Sequence, residues 1–232
     1  MTKMKKPVCA KCPTKVCEPS IKADEKPPFN KAPDFCPMTG MAGVIKKAMT
    51  EYDKPEVKEF ARRASLQEFE CYEPTPEGPR AKNPRILELI EFSKKCGYKK
   101  LGLAFCGGLR SEAGTLTRIL ENNGLEVVSV GCKVGATPKE KIGVKPHQKI
   151  GGAANWESMC NPITQAEVIN AAKVDFAIML GLCIGHDTLF IKYCRVPMTV
   201  IAVKDRVTGH NPLAALYTIN SYYSRLAGKK GR

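Results

Sequence analysis

Three short apolar runs in this chain are each closed by a cysteine lying in or beside glycines. Leu101-Gly-Leu-Ala-Phe105 runs into Cys106-Gly107-Gly108, Leu125-Glu-Val-Val-Ser-Val130 into Gly131-Cys132, and Val174-Asp-Phe-Ala-Ile-Met-Leu180 into Gly181-Leu-Cys183. Runs this short and this rich in branched residues predict strands, with Met198-Thr-Val-Ile-Ala-Val203 as a fourth. Helical spacing fills the intervals. Asn83-Pro84 supplies an N-cap and a first-turn proline, Ile86, Leu87, Leu89, Ile90 and Phe92 an apolar face, and Cys96-Gly97 a stop. The next helix runs through Leu116, Ile119 and Leu120 to Asn123-Gly124. Another follows Asn161-Pro162 with Ile163, Val168 and Ile169, a short one covers Asp187 to Cys194, and Asn211-Pro212 opens the last. This alternation predicts an α/β fold, a doubly wound, Rossmann-like parallel sheet of about four strands. Right-handed crossovers put every strand's carboxyl end on one edge, where such sheets bind ligands. Cys106, Cys132 and Cys183 are therefore expected to converge there.

A packing cysteine belongs inside a strand or on a helix face, which is how Cys96 and Cys194 read. Cysteines in glycine-rich loops ask for another account. Gly107 and Gly108 let the backbone approach a bulky group and turn its amides toward acceptor atoms. Cys160 stands just ahead of a helix N-terminus, whose partial positive charge favours thiolate, and is the candidate fourth ligand. A thiolate-rich set is the mark of zinc or an iron–sulfur cluster. The same residue type recurs in the N-terminal segment, as C-x2-C-x4-C through Cys9, Cys12 and Cys17, followed by Cys36. That segment holds Pro7, Pro13, Pro19, Pro27, Pro28 and Pro33 and cannot bury enough apolar surface to order itself, so a metal would supply the ordering energy. Plant-type ferredoxins use C-x4-C-x2-C with a remote fourth cysteine, and these gaps occur here in reverse. Structural zinc typically uses two tight knuckles, of which one is present, so the spacing favours iron–sulfur with zinc as the alternative. A thioredoxin-type dithiol at Cys9 and Cys12 would need a helix start after a strand, and this pair lies in coil.

The chain carries 11 cysteines, and 37 Lys+Arg against 23 Asp+Glu for a formal charge of +14. An odd number of cysteines leaves a disulfide scheme incomplete, and anionic metal–thiolate centres need nearby cations. The longest apolar stretch, Val174 to Gly185, is too short to span a membrane, and no apolar segment follows the positive residues of Met1-Thr-Lys-Met-Lys-Lys-Pro-Val-Cys9, so the cytoplasm is the expected compartment. The organisation expected is a cysteine-rich metal-binding arm over residues 1–39, a helical segment and linker over 40–79, with helices parted at Pro55 and a proline-rich break from Glu73 to Pro79, and an α/β domain over 80–232. No phosphate-loop or dinucleotide glycine motif is present. Cys106-Gly-Gly-Leu-Arg-Ser111 reads equally as an anion cradle using Arg110 or as a packing turn. His186 reads as a cluster ligand, a proton donor or a helix-start residue with Asp187 as cap, and His210 as a neighbour of a capping Asn. Lys133, Lys139, Lys141, Lys145 and Lys149 would neutralise clusters, receive an acidic partner or substrate, or contact phosphates. Nucleic acid is disfavoured, because Trp156 is too little aromatic surface for it.

The combination of Cys9-Ala-Lys-Cys12-Pro-Thr-Lys-Val-Cys17, Leu103-Ala-Phe-Cys106-Gly-Gly-Leu, Gly131-Cys132-Lys-Val-Gly, Gly181-Leu-Cys183-Ile-Gly-His-Asp and Val207-Thr-Gly-His-Asn-Pro212 resembles a family of uncharacterised, cysteine-rich metal-binding proteins of anaerobic bacteria and archaea. The resemblance covers most of the chain and implies metal binding in an anaerobic setting, with no established reaction. The resulting expectation is an iron–sulfur protein with two [4Fe-4S] clusters. Cys9, Cys12, Cys17 and Cys36 would hold the one that passes electrons inward, and Cys106, Cys132, Cys160 and Cys183 the inner one. It would act in electron transfer with a partner protein or in redox or sulfur chemistry on a small molecule. The alternative is a zinc-stabilised module that binds nucleic acid or an acidic protein. Cys71 is left open as a replacement ligand, as is the oligomeric state.

Overall fold

A computed structural model describes residues 6–228 and divides into two compact units, Met1–Leu66 and Gln67–Arg232. The first five residues of the arm, and with them most of the positive stretch read above for a leader, lie outside the described residues. In the first unit the arm forms only short 3-10 turns, at Cys9–Lys11 and Phe29–Lys31. Regular structure begins where Pro37, fixed near a helical φ, follows Cys36: α1 spans Pro37–Gly40 and α2 spans Ala42–Met49. A 3-10 turn, Thr50–Asp53, ends with Lys54 extended, as the residue before a proline must be, and α3 restarts at Pro55 and runs to Glu70.

The stretch expected as a proline-rich break is instead an antiparallel hairpin, β1 (Tyr72–Thr75) and β2 (Gly78–Ala81), with Tyr72 opposite Ala81 and Pro74 opposite Pro79. A two-stranded ribbon has no further neighbour, so a proline can turn its missing donor outward at no cost. Gly78 takes the turn at φ 118°, and the Thr75 hydroxyl donates to the Gly78 carbonyl oxygen at 2.6 Å.

The α/β part follows. Helix α4 (Arg85–Cys96) stops at Gly97 in the left-handed region, and β3 (Lys100–Phe105), α5 (Arg110–Asn122) and β4 (Glu126–Gly131) come next. Then come α6 (Pro162–Ala171), β5 (Phe176–Leu180), α7 (His186–Tyr193), β6 (Met198–Ala202) and α8 (Leu213–Tyr217). The four strands are parallel in the order β4-β3-β5-β6. The chain thus winds from β3 outward to β4, then crosses to the other side for β5 and β6. The switch point of a doubly wound sheet lies between β3 and β5.

Both faces are covered. On one, Leu89 and Ile90 of α4 and Ala113, Leu116 and Leu120 of α5 pack on Leu101, Leu103, Phe176 and Ile178. On the other, Ala166 and Ile169 of α6 and Phe190 of α7 pack on Ala104, Ala177 and Met179. Gly102 is required by this second layer, since a Cβ there would stand 2.7 Å from Ile169 Cγ2. Three expected caps are not formed, one of them Asn211, since Pro212 holds the N-cap position of α8 without a side-chain cap bond. Pro84 holds the N-cap position of α4 while the Asn83 amide donates to Glu91 at 2.8 Å, an acceptor stronger than a neutral one. Gly185, at φ 84°, is the N-cap of α7, and Asp187 instead accepts from the Thr188 amide at 2.7 Å. Asn161 does cap α6, accepting from Thr164 N at 3.2 Å. Among the described residues no helix is long and apolar enough to cross a membrane.

Candidate functional site

Parallel strands deliver their next residues to a common edge, and four cysteines stand there. Cys106 leaves β3 with its amide donating to the Leu180 carbonyl oxygen at the end of β5, 3.1 Å away. Cys132 leaves β4, and its carbonyl oxygen accepts from Asn161 N at 2.7 Å, tying the long loop and Cys160 to the same edge. Cys183 follows β5, where its carbonyl oxygen accepts from the amides of His186 and Asp187 at 2.9 and 3.0 Å. The short turn Gly107–Leu109 brings Gly107 N to 3.2 Å from Cys132 Sγ, an amide donating to sulfur. Gly181 makes its bend at φ 67°, and a Cβ on it would stand 2.1 Å from Leu109 Cδ1.

The spacing of the strand ends is held by a residue that sequence reasoning did not single out. Gln165, fully buried on α6, donates from Nε2 to the Val130 carbonyl oxygen at 2.7 Å and the Phe105 carbonyl oxygen at 3.2 Å. It bridges the two residues that lead into Cys132 and Cys106. A polar residue in the middle of a helix carries no local cue to such a role.

Electrostatics separate the sulfurs. Cys132 and Cys160 share a hydrogen bond that holds Cys160 well below the ordinary thiol range, with the Lys133 and His186 charges adding to it against burial. The same bond, then burial, pushes Cys132 up. The shared bond therefore favours the thiolate at Cys160 and the thiol at Cys132. Arg206, in the loop after β6, donates from Nη2 to Cys183 Sγ at 3.1 Å, and this bond raises the guanidinium above its ordinary range, helped by Cys106 and Cys160. Lys133 donates to the Ser158 carbonyl oxygen at 2.6 Å. Lys204 Nζ stands 3.3 Å from where a Cβ on Gly108 would be. His186 Nδ1 is buried without a partner. Arg206 and Lys204 were also missed; their signal was their position immediately after the fourth predicted strand.

Other candidates lie elsewhere. Cys71 is buried, accepts from Gln67 Nε2 at 3.6 Å and is pushed up, first by burial. Cys194 donates to the Val196 carbonyl oxygen at 3.6 Å, and burial raises it. Cys96 is half-buried at the end of α4. Lys139 and Lys149 pair with Glu157 and Glu140 at 2.6 and 2.9 Å, which removes two charges from the basic run, and Arg110 is exposed. His210 Nδ1 accepts from Asp205 N at 3.1 Å, a loop closure. In the arm, Cys9 and Cys17 are exposed, Cys12 half-buried, and Cys36 buried at the N-cap of α1. The amides of Lys15, then Thr14, lower Cys12. Among the described residues no group of three or more His, Cys, Asp or Glu side chains is arranged to hold a single metal ion.

Fold and site define a doubly wound α/β protein with thiols and cations gathered at the carboxyl edge of its sheet. The model of a family described as protein of unknown function (DUF1847) matches residues 36–201. The uncharacterized protein MJ0455 of Methanocaldococcus jannaschii is 42% identical over 188 residues, covering 80% of this chain and 90% of that protein. The chain belongs to the DUF1847 family. The matched segment contains Cys36, Cys106, Cys132, Cys160 and Cys183, while Cys9, Cys12, Cys17, Lys204 and Arg206 fall outside it.

Proposed function

We propose that this chain is an iron–sulfur protein, with Cys106, Cys132, Cys160 and Cys183 holding a [4Fe-4S] cluster at the sheet edge and Cys9, Cys12, Cys17 and Cys36 holding a second in the arm. It acts in electron transfer or in redox or sulfur chemistry on a small substrate under anaerobic conditions. The observation that carries the reading is the placement of Cys106, Cys132 and Cys183 after three parallel strands, with Cys160 tied beside Cys132 and N–H donors aimed at two of the sulfurs.

The residues present fit such a group. Gly107 and Gly108 leave the side-chain space beside Cys132 and Lys204 open, so the backbone can approach a bulky inorganic core. Cys160, held below the ordinary thiol range by its bond with Cys132, gives up its proton to a metal more readily than an ordinary thiol. The Gly107 amide and the Arg206 guanidinium donate to ligand sulfurs, one of the means by which a protein sets a cluster's potential. When bound, the cluster supplies one-electron transfer. The cations at the edge balance thiolate charge, and Gln165 keeps the ends of β3 and β4 at a fixed separation.

The full chain purified without oxygen is expected to be brown, with acid-labile sulfide and about 8 iron atoms, as two four-iron clusters require. Serine at Cys106 and Cys132 together is expected to halve the iron, and so is serine at Cys9 and Cys12. A colourless, zinc-loaded preparation made under the same conditions overturns the reading.

A further inference from the structure

We propose that Lys133, Lys204, Arg206 and His186 form a binding site for a small tetrahedral oxyanion, the substrate class of the sheet-edge centre. The substrate assignment rests on the cluster reading, whereas the anion site follows from the placement of these four residues.

In a folded protein, cations side by side are ordinarily paired with carboxylates, since unpaired like charges repel. Here they are not. Among the described residues no ion pair includes Lys133, Lys204 or Arg206. Asp205 lies in sequence between Lys204 and Arg206, but its Oδ1 accepts from the amides of Val207 and Thr208 at 2.9 and 3.0 Å. Asp187, beside His186, accepts from Thr188 N. The nearby carboxylates thus accept from backbone amides, while Arg206 faces Cys183, Lys133 lies beside Cys160 and Lys204 lies over Gly108.

Their donors are also unspent. Arg206 is exposed and spends one N–H on Cys183, leaving most of a planar fork that matches two oxygens of an oxyanion. Lys204 is positioned by its own amide, which donates to the Leu182 carbonyl oxygen at 3.2 Å, and Gly108 leaves room for its ammonium. Lys133 uses one of three ammonium protons on Ser158. His186 Nδ1 is a buried polar atom without a partner, a rarity that a bound oxygen would resolve. Ammonium, guanidinium and imidazole donors around one edge are complementary to a sulfur or phosphorus oxyanion, whose oxygens accept from every side.

Isothermal titration of the full chain, purified without oxygen and held in a chloride-free buffer, is to be carried out with inorganic sulfate and separately with inorganic phosphate. The expected result is saturable binding of at least one, the preferred ion identifying the source of the oxyanion. Arg206→Gln and Lys204→Gln should each weaken it about tenfold or more, Arg206→Lys should lose part of the affinity at an unchanged melting temperature, and Lys99→Gln, at the amino end of β3 on the opposite edge of the sheet, should leave it unchanged. Binding of neither ion, or binding that R206Q and K204Q leave intact, overturns the site. Iron and sulfide counted on the same preparations separate the two ideas. An iron-free chain that binds sulfate through Arg206 defeats the cluster reading and supports the site. An iron-loaded chain that binds neither ion defeats the site alone.

Discussion

Gln165→Leu tests whether the strand ends at the site are held by a single buried amide. Leucine nearly fills the volume but removes both donors, leaving the carbonyl oxygens of Phe105 and Val130 without the bonds they receive at 3.2 and 2.7 Å. Each lost bond costs roughly 1 kcal/mol and each stranded acceptor adds to it, about 3 kcal/mol together. Gln165 Oε1 is already buried without a partner, so its removal returns about 1 kcal/mol. The net loss is about 2 kcal/mol. With a urea m-value of about 2 kcal/mol/M, the midpoint falls by about 1 M while the slope is unchanged. Gln165→Glu gives a pH signature for the same contact. The new carboxyl faces two carbonyl oxygens in a fully buried position, so its folded pKa lies above the unfolded value of about 4.3. Above that pH the unfolded state releases a proton that the folded state keeps, and stability declines by about 1.4 kcal/mol per pH unit until the folded carboxyl ionises. Urea midpoints of Q165L within about 0.2 M of wild type, or a Q165E variant whose stability is flat between pH 4 and 7, refute the clamp.

Gly181→Ala forces a Cβ into the left-handed region and against Leu109, and about 3 kcal/mol of destabilisation is expected from strain and overpacking together; a thermal melt superposable on wild type contradicts this. In the reduced, metal-free chain, ultraviolet thiolate absorbance should reveal a step below the ordinary range that includes Cys160, and Cys132→Ala, which removes its hydrogen bond, should move the Cys160 part of that step upward. A step unmoved in C132A would show that the pair is not coupled. Asp175 accepts from the amides of Lys99 and Lys100 at 2.7 and 2.8 Å, which lowers its carboxyl. Because the folded pKa is depressed, its contribution is full above the unfolded value of about 3.9 and vanishes as pH falls through the folded one. Asp175→Ala should cost about 1 kcal/mol at pH 7, discounted for exposure, and nothing in strong acid; an equal loss at both pH values rejects the charge-assisted clamp.

What the chain discloses in advance follows from which interactions are local. Strands β3, β4 and β5 are legible because both faces of a parallel sheet are covered, so the run from Phe176 to Leu180 is buried at every position and reads as unbroken apolar sequence. Helix ends are legible where glycine takes a backbone region other residues avoid, as at Gly97 and Gly124. The hairpin at Tyr72–Ala81 is hidden because Pro74 and Pro79 signal a break in any sheet with neighbours on both sides, and a free two-stranded ribbon is the exception. Asn83 and Asp187 mislead for a related reason. Each has the side chain of a cap, but Asn83 meets Glu91 eight residues on, and Asp187 meets the adjacent amide.

The edge itself shows the same division more sharply. The positions of Cys106, Cys132 and Cys183 follow from topology alone, because a parallel sheet sends every strand's next residue to one side. The same rule extends to Lys204 and Arg206, which follow β6 as the cysteines follow β3, β4 and β5. Their place at the edge was therefore derivable, and only the assumption that chemistry would come from sulfur kept them out of view. Gln165 was not derivable: its partners are backbone oxygens 35 and 60 residues away, and no side-chain pattern marks a backbone acceptor. Topology thus tells which residue types meet, and the buried polar contacts that fix their spacing become visible only in three dimensions.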